Sequence, residues 1–178
     1  MGRWRIVNEG DVKRTSSGNW RWIVTLVMVL SAQACGDEEA PAEGVEEGLD
    51  AESCEHMEEG PAVPITAAAD PAAAPDATAE HARVDIALAP DGTGIVTYAA
   101  GAPGDYTFYF DKPVDLTITA PDGSTLALES SAPVDLCEAV AVKQVFELAL
   151  GLHTIAIDAS GQAEVRMVVE ATDEHEDE

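Results

Sequence analysis

Through the second half of the chain, apolar and polar residues alternate. In Arg83-Val84-Asp85-Ile86-Ala87-Leu88 and Asp115-Leu116-Thr117-Ile118-Thr119 an apolar side chain returns at every second position, the spacing of a sheet with one buried face. Nine segments of this kind, separated by turn residues, are predicted as strands: 62–66, 81–88, 94–99, 105–110, 114–120, 124–129, 142–149, 153–159 and 164–170. Val84, Ile86, Leu88, Leu116 and Ile118 are the expected core, and Gly104–Phe110 (GDYTFYF) supplies aromatic bulk. The tetrapeptide Ala-Pro-Asp-Gly follows two of the runs, at Ala89–Gly92 and Ala120–Gly123. Proline pre-sets the first turn dihedral and glycine accepts positive φ, so both are read as hairpin corners. Strands every 8 to 12 residues without a convincing amphipathic helix predict an all-β fold. The expectation is a single antiparallel β-sandwich, jelly-roll or Ig-like, over residues 54–171.

The first half follows other rules. Ile23–Cys35 (IVTLVMVLSAQAC) is an apolar run that breaks into small residues and stops at a cysteine. It is far shorter than the roughly 20 apolar residues that span a bilayer. Lys13, Arg14 and Arg21 precede it and acidic residues follow, which is signal-peptide anatomy over residues 1–34. Glu9 and Asp11 are out of character for such a leader, so translation is expected to start near Val12. Two processing enzymes fit the junction: ordinary signal peptidase, through Ala32-Gln33-Ala34, and the lipoprotein pathway, through Cys35. Residues 35–53, acidic and poor in aromatics, read as a disordered tether. Pro71 and Pro75 turn the alanine-rich stretch 67–79 into a loop rather than a helix, and 172–178 is an acidic tail.

Charge narrows the partners. The chain carries a net charge of −25, and without residues 1–34 it keeps four basic against 32 acidic residues, a net −28. Arg83, Lys112, Lys143 and Arg166 are scattered, whereas phosphate backbones are bound by clustered cations, so nucleic acid is excluded as a partner. Cys35, Cys54 and Cys137 are the only cysteines. With Cys35 acylated in an oxidising compartment, Cys54 and Cys137 are the expected disulfide. It would close a loop of about 80 residues, for which the chain-entropy account gives roughly 4 to 5 kcal/mol at most.

Two resemblances add to this. The junction at Ala34-Cys35 resembles a bacterial lipobox, with Ala32 where Leu is usual. That implies lipidation of Cys35, a membrane anchor and a place in the bacterial cell envelope; without the lipid, the protein would be periplasmic or secreted. From Gly104 onward, GDYTFYF, VDLTITAPDGSTLA and FELALGLHTIAI are similar to the jelly-roll sandwiches of the bacterial pre-peptidase C-terminal type. His153 stands where that family has Tyr, and Asp115 is alone where the family has an acidic ladder. The resemblance implies fold, and no calcium or collagen site is carried over.

The sharpest chemical cluster is Cys54-Glu55-His56-Met57, in which sulfur and imidazole suit a soft metal such as Cu(I), with His81 or His153 completing the shell. A set of His56, His81 and Asp85 without sulfur suits zinc instead. Against both, a disulfide removes the Cys54 sulfur, His56 is a surface histidine among glutamates, and His153 packs on the face of Ile155 and Ile157. No G-x-S-x-G, phosphate loop or D-x-D-x-D-G calcium loop occurs. Two functions are therefore expected. The first is a non-enzymatic envelope lipoprotein without a cofactor that binds a protein or glycan partner. The alternative is a periplasmic metal-binding protein, for zinc or copper, using His56, His81 and nearby acids or sulfur. Convergence of the histidines in space decides between them.

Overall fold

The computed structural model describes residues 43–172, with side chains from Gly48 onward. The signal segment 1–34, the lipidation site Cys35, the first part of the expected tether and the tail beyond Thr172 lie outside the described residues. One helix, α1 (Glu43–Glu59), precedes nine strands: β1 (Ala62–Thr66), β2 (Arg83–Ala87), β3 (Thr93–Ala100), β4 (Gly104–Phe110), β5 (Asp115–Thr119), β6 (Ser130–Ala132), β7 (Val142–Leu148), β8 (Gly151–Asp158) and β9 (Glu164–Ala171). They form a six-stranded sheet, ordered β1-β2-β9-β4-β7-β6, and a three-stranded sheet, β3-β8-β5. Every pair is antiparallel except β1 with β2, which run parallel. Pro64 sits in β1, the outermost strand, where a missing N–H interrupts no interior ladder.

The period-two pattern places the core between the sheets. Val84 and Ile86 of β2, Phe108 and Phe110 of β4, Phe146 and Leu148 of β7 and Met167 of β9 meet Val96 of β3, Ile118 of β5 and Ile155 and Ile157 of β8 in one buried cluster. Leu88 and Leu116 pack against it half-buried. Tyr98 of β3 joins the layers by edge-to-face contacts with Tyr106 and Phe108 of β4, at centroid distances of 5.8 and 5.7 Å. Burial of each large apolar side chain here contributes about 1.5–3 kcal/mol.

Three expectations are corrected. The disordered tether gives way at Glu43 to α1, which lies on the outer face of the six-stranded sheet. There Cys54 and Met57 pack with Tyr109, Val168, Val134 and Val140. Residues 124–129 form no strand. After the Asp122-Gly123 turn, Leu126 N–H reaches Ile118 O at 2.9 Å, and the chain then leaves for the other sheet, where Ser130–Ala132 pairs with β7. The corner at Ala89–Gly92 joins strands of different sheets, so it is a crossover between layers rather than a hairpin. The two corners share their chemistry all the same. Gly92 and Gly123 both sit at φ +87°. Asp91 and Asp122 accept from the backbone N–H and hydroxyl of Thr93 and Ser124 respectively, and these bonds hold both carboxyls below the usual range.

Candidate metal centre

Four side chains from three parts of the fold converge where α1 crosses β9. Glu52 and His56 are four residues apart on α1, hence neighbours on one helix face. His81 is in the turn before β2, at φ +49°, a left-handed conformation that histidine tolerates better than most residues. Glu170 projects from the outer face of β9, beneath the helix, and is only 6% exposed. The His56 and His81 rings stand edge to face with centroids 5.6 Å apart. Glu52 Oε1 lies 3.6 Å from His81 Nδ1, and His56 Nδ1 lies 3.1 Å from Glu170 Oε1. One ligand atom each from Glu52, His56 and His81 falls within 4.8 Å of the other two.

The helix is positioned mainly by specific contacts. Cys54, between Glu52 and His56, is joined to Cys137 by a disulfide. Asp50 accepts from the Tyr109 hydroxyl at 2.9 Å and from Lys143 Nζ at 2.9 and 3.0 Å. Near the C-terminal end of α1, Arg83 donates to Met57 O at 2.9 Å, satisfying a carbonyl that the last turn leaves open.

Electrostatics make the site receptive to a cation. Burial, with the nearby Glu52 charge, pushes the Glu170 carboxyl above its ordinary range, against the lowering effect of the His56 hydrogen bond. When ionised, Glu170 fixes the Nδ1–H tautomer of His56 and leaves Nε2 with its lone pair, the carboxylate–histidine arrangement that orients metal ligands. Burial and the charge of Asp50 keep the Tyr109 phenol protonated far above neutral pH. His81, two-thirds exposed, opens together with Glu170 onto a cleft of about 410 Å³ that Tyr98, Tyr106 and Glu80 also line.

The structure sorts the expected ligands. His56 and His81 come together. Asp85 stands apart, paired through Oδ1 with Arg83 Nε at 2.7 Å. His153 is fully buried between the sheets on the face of Ile155 and Ile157, its Nδ1 3.0 Å from Gly151 O. Neither sulfur is offered to the site: Cys54 is in the disulfide, and Met57 is fully buried in the apolar cluster under the helix. Glu52 and Glu170 were not foreseen. Glu52-x-x-x-His56 is a helical spacing, legible once the segment is read as a helix; Glu170 looks like any polar residue near a strand end. Compared with family models and with curated proteins, the chain matches none.

Proposed function

We propose that this chain is an exported, non-enzymatic protein of the bacterial envelope that binds a divalent transition metal, zinc by the chemistry of its donors, at Glu52, His56 and His81. The observation that carries this reading is the convergence of two imidazoles and a carboxylate within 4.8 Å. Bond lengths of 2.0–2.2 Å would bring such ligand atoms to roughly 3.3 Å from one another, a closure of at most about 1.5 Å that an exposed His81 side chain can make. Nitrogen and oxygen donors without sulfur favour zinc over Cu(I). In this reading Glu52, His56 and His81 hold the ion, Glu170 orients His56, and the metal draws α1 onto the loop before β2. The other expected role, capture of a protein or glycan by a sheet face, has no comparable gathering of side chains among the described residues.

Envelope location rests on Ile23–Cys35. Palmitate supplied to expressing cells is expected to label the protein, and Cys35→Ser to lose the label and release it from membranes; a label that survives Cys35→Ser contradicts the anchor. The metal is tested by calorimetry at moderate salt. One equivalent of zinc should bind at micromolar Kd or tighter, weaken as pH falls because protons compete for the ligand imidazoles, and be lost in His56→Ala/His81→Ala. Millimolar binding that salt screens and the double variant retains would reduce the site to diffuse acidity.

A further inference from the structure

The disulfide interrupts the ligand set in sequence: Cys54 lies two residues after Glu52 and two before His56, and its partner Cys137 belongs to the loop between β6 and β7. Building on the metal reading above, we infer that the Cys54–Cys137 disulfide sets the affinity of the Glu52–His56–His81 centre, so that these three residues hold zinc tightly while the bond is intact and at least tenfold more weakly once it is broken.

The helix has little of its own to keep it in place. Eight of its 17 residues are acidic, in a chain whose net charge is already −25. Gly44 and Gly48 lower its intrinsic helicity, and Glu58 and Glu59 stand at the end where the helix dipole disfavours negative charge. Among its described side chains the buried apolar ones are Leu49, Cys54 and Met57. Two cations, Lys143 and Arg83, hold Asp50 at the middle of the helix and Met57 O near its C-terminal end. The one covalent clip is in between, beside both helical ligands.

His81 and Glu170 lie on the sandwich, whereas Glu52 and His56 ride on α1. Whatever lets α1 move separates the donor set into halves. Reduction does this: the S–S bond breaks, two electrons and two protons yield thiols at Cys54 and Cys137, and the dithiol reductant is oxidised to its own disulfide. Metal and disulfide are then two clips on one helix. By linkage each strengthens the other: the intact bond favours zinc at this centre, and zinc at this centre favours the intact bond.

The test uses the full chain with zinc alone as probe. Reduced thiols would themselves ligate zinc, so the uncrosslinked state is represented by Cys54→Ser/Cys137→Ser. Calorimetry is expected to give a Kd at least tenfold weaker for this variant than for the oxidised native protein. Tight, histidine-dependent binding by the native protein together with a variant within twofold of it would overturn the coupling and leave the metal reading standing. Absence of histidine-dependent binding in the native protein would remove both. Should the variant not fold, the native protein decides through the reciprocal effect. Saturating zinc is expected to slow reduction by a water-soluble phosphine at least tenfold, a step that breaks S–S, yields two thiols and leaves a phosphine oxide with oxygen from water. That protection should vanish in His56→Ala/His81→Ala. Equal reduction rates with and without zinc would contradict the inference.

Discussion

Glu170 shows how a single carboxylate links stability to the centre's purpose. Buried under α1, it resists ionisation in the folded chain but not in the unfolded one. Between the ordinary carboxylate pKa and its raised folded value, the native state binds more protons than the unfolded state, so its contribution to stability is greatest at acid pH and declines as pH rises. Glu170→Gln retains an acceptor for His56 without the charge. The stability of this variant relative to the native protein, both metal-free, should therefore be flat at acid pH and climb above about pH 4.5. The same variant should bind zinc about tenfold or more weakly, through the loss of the charged partner of His56. Urea denaturation across pH checks the first part; a difference that stays level or falls with rising pH would show that burial does not raise the Glu170 pKa. None of this can be read from the sequence. Val84 and Ile86 announce their burial by alternation, whereas Glu170 follows Val169 as any outward-facing residue would, and only the helix laid over it makes it special.

At the level of elements, legibility followed the strength of the periodic signal. β2, β7 and β9 were anticipated within a few residues because each alternates against a continuous core, and β4 through its aromatic bulk, being buried on both faces. β6 is three residues long and pairs only with β7, which leaves no period to detect. The stretch 124–129 contains alternating apolar residues, but the turn at Asp122-Gly123 aims it along β5 for a single bridge, Thr119 with Thr125, before it departs. The helix was hidden for a different reason. Leu49, Ser53, Cys54 and Met57 do recur at helical spacing, yet among so many acids they make a stripe too thin to outweigh a composition typical of disorder. What stabilises α1 is the disulfide and the Asp50–Lys143–Tyr109 contact, long-range partners that no local window contains. The consequence for function is direct, since two of the three proposed ligands sit on the element least visible in the sequence.

The whole molecule combines an expected frame with an unexpected attachment. The all-β sandwich was legible, as was the Cys54–Cys137 pairing, because parity of cysteines and alternation of strands are global properties that local exceptions do not disturb. The histidine pair was legible as candidates and not as a site, since sequence could not say whether residues 25 apart in numbering, on either side of β1, would meet. They meet because β1 runs parallel to β2, so the chain must travel back along the domain after β1, and the returning loop sets His81 beside α1. Among the described residues no helix is long and apolar enough to cross a membrane. The proposed account assigns attachment to a lipid on Cys35 and metal capture to the domain that follows.

The central claim, that zinc is held by two histidines and a carboxylate of this domain, is tested most directly by X-ray absorption at the zinc edge on the stoichiometric complex of the oxidised protein. The account predicts a first shell of nitrogen and oxygen alone at about 2.0–2.2 Å, with the outer-shell scattering of two imidazoles that disappears when His56 and His81 are replaced. A sulfur shell at about 2.3 Å, or an oxygen-only shell without imidazole scattering, would contradict it.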